Sequence, residues 1–352
     1  MTIRVLTFSD KGESVAEKLC KKLMAFTDID FMRCGETISL SRWTKEWFFK
    51  ADALVFIGAC GIAVRAVAPF VESKVSDPAV VVVDELGHFA IPILSGHLGG
   101  ANELASQIAE VLGAQAVITT ATDINKVFAI DDWARRNDCV ILDAGKIKDV
   151  AVRLLDGGTV TIKSNFPIAG REPVGVSLTS EDSADVHIST RREGIFGGRA
   201  ARQVSAGPFD AKDRKKDPMI IVPHIAVLGI GCRKGTKGAA VEKCFEHVLN
   251  ELGIFEEAFY RVCSIDLKKD EPAIREFCEV HSLPFYPYSS DELKKVPGEF
   301  SSSGFVEEIT GVDNVCERSA ALGAGDGRIV LKKVVWDGVT MAVAFRQISL
   351  VW

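Results

Sequence analysis

The chain lacks a long apolar run, a paired-cysteine motif and an excess of positive charge, and each absence removes a class of protein. No apolar segment approaches the roughly 20 residues that cross a bilayer. The first residues, MTIRVLTFSDKGES, have no basic stretch, apolar core and small-residue cleavage site of the kind that directs export. A cytoplasmic protein is therefore expected. Nine cysteines run from Cys20 to Cys316 with no C-x-x-C pair and no metal-ligand spacing to the six histidines, so neither a disulfide framework nor a structural zinc site is indicated. Most should be small, reduced core residues. The formal net charge of −6 argues against a nucleic acid or an anionic membrane as partner, because both demand a basic surface. A polyanionic small molecule stays compatible if basic groups cluster locally.

What is present is ordinary globular composition on a long chain. Hydrophobic residues make up 47% and charged residues 26%, well away from the signature of disorder. At 352 residues the chain exceeds the size at which one core stops growing, so two or three domains are expected. In the first third, strands (IRVLTFS, DALVFIG, AVVVVDE, FAIPILS) alternate with helical patterns, the mark of an α/β domain. After SGHLGG, the residues Ala101, Leu104, Ala105, Ile108, Val111 and Leu112 share one helical face, and Gly113 ends that helix. From Asn125 to about Pro223 the pattern weakens, and 191–218 carries eight basic and four acidic residues among glycine and proline, reading as exposed loop. The last third resumes with IAVLGIG and a helix through Val241, Phe245, Val248, Leu249 and Leu252, and closes on a hairpin turned by Asp337-Gly338. The fold class predicted is α/β: two α/β sandwich-type domains with mostly parallel sheets, residues 1–124 and 223–352, flanking a small α+β middle domain, 125–222.

Three glycine-rich loops follow strands. IAVLGIGCRKGTKG fits neither nucleotide fingerprint: Gly229, Gly231 and Gly235 are spaced G-x-G-x-x-x-G, and no G-x-x-x-x-G-K-[ST] occurs. A strand-to-helix loop still offers unpaired amides and a helix dipole to an anion, with Arg233, Lys234 and Lys237 adding charge. A plain tight turn with solvated lysines explains the same residues. FIGACGIAVRA places Gly58 and Gly61 around a turn with Arg65 one helical turn later, where simple packing of glycine is the alternative. SGHLGGANELA is the richest: Ser95, Gly96, His97, Gly99 and Gly100 precede Asn102 and Glu103 in the first helical turn. Histidine suits proton transfer near neutral pH, although loop histidines also serve structure. ITTATDINK supplies Thr119, Thr120, Thr122 and Asp123, which could equally be helix caps. All these loops are expected at strand C-terminal ends, where α/β sheets bind ligands.

The run GIAVRAVAPFVESKVSDPAVVVVDELGHFAIPILSGHLGGANELASQIAEVLGAQAVITTATD closely resembles the N-terminal region of the CbiG family of cobalamin biosynthesis, the cobalt-precorrin-5A hydrolases. VLGIGCRKGT, SIDLKKDE and KKVVWDGVTMAVA resemble the family's C-terminal domain, which also occurs as the CobE protein. Together these cover about residues 45–125 and 225–346; members often carry threonine where Cys60 stands, so no hydroxyl role transfers there. The resemblance implies opening of the δ-lactone that joins the ring A acetate to the methylated meso carbon of cobalt-precorrin-5A. That carbon then leaves as acetaldehyde, giving cobalt-precorrin-5B. It implies no added cofactor, since cobalt arrives in the substrate, and other enzymes of the pathway as partners. On this basis His97 is expected as the general base, with Asp123 or Glu103 orienting it or acting in the fragmentation, and Gly99 and Gly100 as oxyanion donors. Substrate carboxylates are expected on the loop residues named above, Arg65, Arg233, Lys234 and Lys237 among them, and on Ser264 and Lys268 of SIDLKKDE. A non-catalytic corrinoid carrier and a nucleotide-binding α/β protein are the competing readings.

Overall fold

The computed structural model describes all residues except 26, 36, 37, 74, 75, 193–216 and 303. The charged loop expected at 191–218 therefore lies almost entirely outside the described residues. The chain divides into two compact units, Met1–Arg135 with Ala144–Gly158, and Arg136–Asp143 with Thr159–Trp352. The stretch 125–222 contributes to both.

In the first unit the elements are β1 (Thr2–Thr7), α1 (Asp10–Leu23), β2 (Asp28–Arg33), α2 (Leu40–Trp47), β3 (Ala53–Ile57), α3 (Cys60–Val67), β4 (Ala79–Val83), β5 (Phe89–Leu94), α4 (Ala101–Leu112), β6 (Gln115–Ala116), α5 (Ala121–Ile124) and α6 (Ile130–Arg136). The strands form one sheet in the order β2-β1-β3-β4-β5-β6. Every residue of β3 and β4 is buried, because helices cover both faces and side chains alternate between them. Ile3, Val5, Val55, Ile57, Val81 and Val83 pack with α1 and α4 residues such as Leu19, Leu104 and Ile108. Leu6, Leu54, Phe56, Val80 and Val82 pack on the other side with Trp43, Phe48, Ala63 and Val67. Gly113 ends α4 in the left-handed conformation (φ +73°), as its position in the sequence predicts.

One strand direction decides where the loops go. β1 to β4 are parallel, but β5 runs antiparallel to β4, with Val83 opposite Ala90 and Val80 opposite Leu94. β6 is parallel to β5. The loops after β5 and β6 therefore emerge at the edge where β4 begins, while the Gly58–Gly61 loop after β3 emerges where β4 ends. Five strand residues separate the two edges, roughly 16 Å.

In the second unit one five-stranded sheet has the order 176–178, 160–164, 186–188, 219–223, 139–141, the last strand antiparallel to its neighbour. The other has the order 285–288, 259–265, 226–232, 339–345, 328–336. It is mixed: the first three strands are parallel and the closing hairpin antiparallel. Asp337 (φ +43°) and Gly338 (φ +77°) turn that hairpin, as the Asp-Gly pair predicts. Helices Gly238–Leu252 and Pro272–Val280 cover one face, and Val315–Ala324 the other. No helix among the described residues is long and apolar enough to cross a membrane.

Candidate active site

The loop after β5 folds back on itself before α4. The Gly100 amide donates to the His97 carbonyl (2.9 Å), Ala101 to Ser95 (3.1 Å) and Asn102 to Gly96 (2.9 Å). Ser95 sits at φ +55°, a conformation that costs a non-glycine residue about 1–3 kcal/mol and clusters at functional sites. Its hydroxyl donates to the Asp77 carbonyl at 3.0 Å. A Cβ on Gly96 would meet Asn102 Oδ1 at 2.8 Å, and one on Gly99 would meet Ser95 Cβ at 2.4 Å. These glycines let Asn102 and Ser95 close over the loop. Among the described residues, the amides of Gly96, His97, Leu98 and Gly99 have no protein acceptor.

His97 projects between two carboxylates. Its Nε2 lies 2.8 Å from Asp123 Oδ2, with Thr122 Oγ1 at 3.3 Å. Its Nδ1 lies 3.4 Å from Asp131 Oδ2. Buried Asn102 donates through Nδ2 to Asp123 Oδ2 (3.0 Å) and to Thr120 Oγ1 (2.9 Å). The Asp131 carboxylate, assisted by Asp123 and opposed by burial, pushes the His97 imidazole up to about 9. Asp131 dominates despite its longer contact because its side chain is 11% exposed, against 37% for Asp123, and less water screens it. Burial would raise Asp131 itself, but the His97 bond and charge and its own helix amides hold it below the usual carboxylate range.

This geometry changes the expected roles. With a carboxylate beside each ring nitrogen, the contacts favour the charged form of His97, which has no lone pair free to take a proton, and Asp123 is the more exposed of the two carboxylates. Gly100 is not an oxyanion donor, since its amide is spent on the turn. Glu103 does not orient His97; it pairs with Arg135, which also holds Asp132 at 3.0 Å. Thr119 is exposed at the same edge. Gly58, Gly61 and Arg65 do not join the site, because antiparallel β5 delivers the His97 loop to the opposite edge of the sheet. Gly58 accommodates the Phe8 ring, 2.8 Å from where its Cβ would be, and Arg65 donates to the Gly61 carbonyl at 3.3 Å.

The second unit corrects further assignments. Gly229 is a packing residue: a Cβ there would lie 1.8 Å from the Cys316 carbonyl oxygen. Gly231 likewise faces Thr340 Oγ1 at 2.8 Å. Ser264 is fully buried and donates to the Ile230 carbonyl (2.7 Å). The anion position at the Arg233–Lys237 loop is filled by the protein's own Glu271, which is buried and accepts from the Gly235 amide (2.9 Å) and from Lys268 Nζ (3.2 Å). Arg233, Lys234 and Lys237 remain exposed, with no ion pair among the described residues. No cluster of three or more metal-ligating side chains occurs among the described residues. Asp131 and Glu271 were missed because each reads as a solvated helix-start acid; only the tertiary fold brings them to a histidine or a loop amide.

Fold and site thus define an α/β protein whose first unit holds a histidine-carboxylate acid-base cluster at a sheet edge. The profile for cobalamin synthesis G N-terminal matches residues 42–123, and that for cobalamin synthesis G C-terminus matches 226–344. The chain is 32% identical over 306 residues to the cobalt-precorrin-5A hydrolase of Salmonella typhimurium, covering 85% of this chain and 83% of that one. It is 32% identical over 308 residues to the protein of the same name from Priestia megaterium, covering 84% and 79%. The crystal structure of CobE, a protein from the cobalamin (vitamin B12) biosynthetic pathway, is 28% identical over 36% of this chain and 94% of that one, with a TM-score of 0.34. The chain belongs to the cobalamin synthesis G (CbiG) family.

Proposed function

We propose that this chain is a cobalt-precorrin-5A hydrolase that opens the ring A acetate δ-lactone and releases the methylated meso carbon as acetaldehyde, leaving cobalt-precorrin-5B. The observation that carries the reading is 32% identity across 85% of the chain to a hydrolase of that name, and the His97 cluster gives it a chemistry. Water attacks the lactone carbonyl while Asp123 takes its proton. The oxyanion is held by the Gly96–Gly99 amides, each such donor contributing on the order of 100-fold or more in other enzymes. As the ester C–O bond breaks, its electron pair stays on the meso-carbon oxygen and His97 Nε2 protonates it. Asp123, 2.8 Å away, returns the water proton to the imidazole. In the fragmentation the same carboxylate takes the hydroxyl proton as the aldehyde forms, and the released electron pair passes to the macrocycle. Cobalt belongs to the substrate, and the reading calls for no further cofactor.

The test is acetaldehyde release on mixing purified protein with cobalt-precorrin-5A. Stoichiometric or catalytic acetaldehyde supports the reading. Binding of the corrinoid with no acetaldehyde would instead make the protein a carrier.

A further inference from the structure

Asp131 and Asp77 are the buried acids among the described residues of the first unit, and of the two Asp131 is the one beside a histidine. Its carboxylate lies 3.4 Å from His97 Nδ1. Its neighbour Asp132, identical in sequence, pairs with Arg135 instead. An ionised carboxylate only accepts hydrogen bonds, and a neutral imidazole has one N–H to give. With Asp123 on Nε2 and Asp131 on Nδ1, a neutral ring would turn one lone pair toward a negative charge. The contacts are therefore mutually consistent only when both ring nitrogens carry hydrogen. The groups facing the ring are Asp123 and Thr122 from α5, Asn102 from α4 and Asp131 from α6; the Glu103-Arg135-Asp132 ion pairs lie next along α4 and α6.

We propose that Asp131 is the positioning residue of this site, pinning the His97 ring in one orientation with Nδ1–H bound, so that Nε2–H is the proton delivered to the leaving lactone oxygen. The inference rests on the hydrolase reading for its reaction but not for its geometry. Asp123 alone cannot fix the ring: it is more exposed, sits on a four-residue helix, and contacts only one nitrogen. Asp131 supplies the second point that stops rotation about the Cβ–Cγ bond. It also keeps the ring charged between turnovers, since the proton lost from Nε2 is recovered from Asp123 while Nδ1–H stays in place.

Two readouts test this on the full chain. In protein labelled with ¹⁵N-histidine, six pairs of ring signals are expected, one pair per histidine, and the ring whose pair is removed by His97→Ala should stay doubly protonated until the pH nears about 9. In Asp131→Asn that signal should lose its proton at least one pH unit lower, while Asp132→Asn leaves it unmoved. With cobalt-precorrin-5A, Asp131→Asn should lower kcat about 100-fold with KM changed less than about threefold, shift the alkaline limb of the rate profile downward, and be partly rescued by Asp131→Glu. A wild-type protein in which no histidine ring stays doubly protonated toward about pH 9 overturns the proposal even if no variant folds. So does an Asp131→Asn protein whose His97 titration is unchanged. Absence of acetaldehyde with a doubly protonated His97 would defeat the hydrolase reading and leave the positioning role standing.

Discussion

The Ser95–Gly100 and Arg233–Lys237 loops look alike in sequence, each a glycine-rich link from strand to helix beside charged residues, yet they are used differently. In the second unit the loop closes on the protein's own carboxylate: Glu271 takes the Gly235 amide and the Lys268 ammonium. In the first unit the internal carboxylates bind the histidine, leaving four consecutive loop amides without an acceptor among the described residues. A glycine-rich loop is thus an anion site only where the fold has not already supplied the anion.

Four substitutions or titrations sharpen that contrast. Removing the proton donor has the largest effect: His97→Ala should lower the kcat for acetaldehyde release by about 10²- to 10⁴-fold, with circular dichroism unchanged. Next comes Gly96→Ala. The new methyl would press on Asn102, which is tied to Thr120 and Asp123, and a displaced Asp123 should cost about 10- to 100-fold in kcat. Near-normal turnover in this variant would show that Asn102 does not place Asp123.

The third effect is on stability. Because folding raises His97 to about 9 from an ordinary value of 6.5, the group adds stability that is complete below about pH 6.5. That contribution is lost as pH rises through about 9, and it amounts to about 3 kcal/mol at most. Chemical denaturation at several pH values should show this decline in the wild type and a flatter profile in His97→Ala. The smallest effect belongs to the second loop. Glu271→Ala removes the acceptor of the Gly235 amide and the partner of Lys268 on a solvent-exposed loop, and should destabilise by about 1 kcal/mol, read as a lower Tm, with kcat at saturating substrate preserved. A collapse of kcat there would put that loop in the chemistry.

Much of this was legible in the residues. The apolar runs of β3 and β4, the amphipathic face of α4, its stop at Gly113 and the Asp337-Gly338 hairpin follow from spacing and turn chemistry alone. So does the suspicion of His97 beside a threonine-aspartate loop. Strand direction was not legible: FAIPIL reads the same parallel or antiparallel, and its reversal is what separates Gly58 and Gly61 from His97. Nor could the sequence distinguish Asp131 from Asp132, because one residue of helical rotation decides which carboxylate turns toward the histidine. The glycines at 229 and 231 were equally ambiguous, since close approach of a helix and of a ligand demand the same missing side chain.

The most direct check is the rate of acetaldehyde release from cobalt-precorrin-5A across about pH 6 to pH 10. A clamped, charged His97 predicts activity already full near neutrality and falling as the pH passes about 9. A rate that climbs with a midpoint near 6.5, the ordinary histidine value, and then holds to pH 10 would make His97 a neutral base and contradict the account.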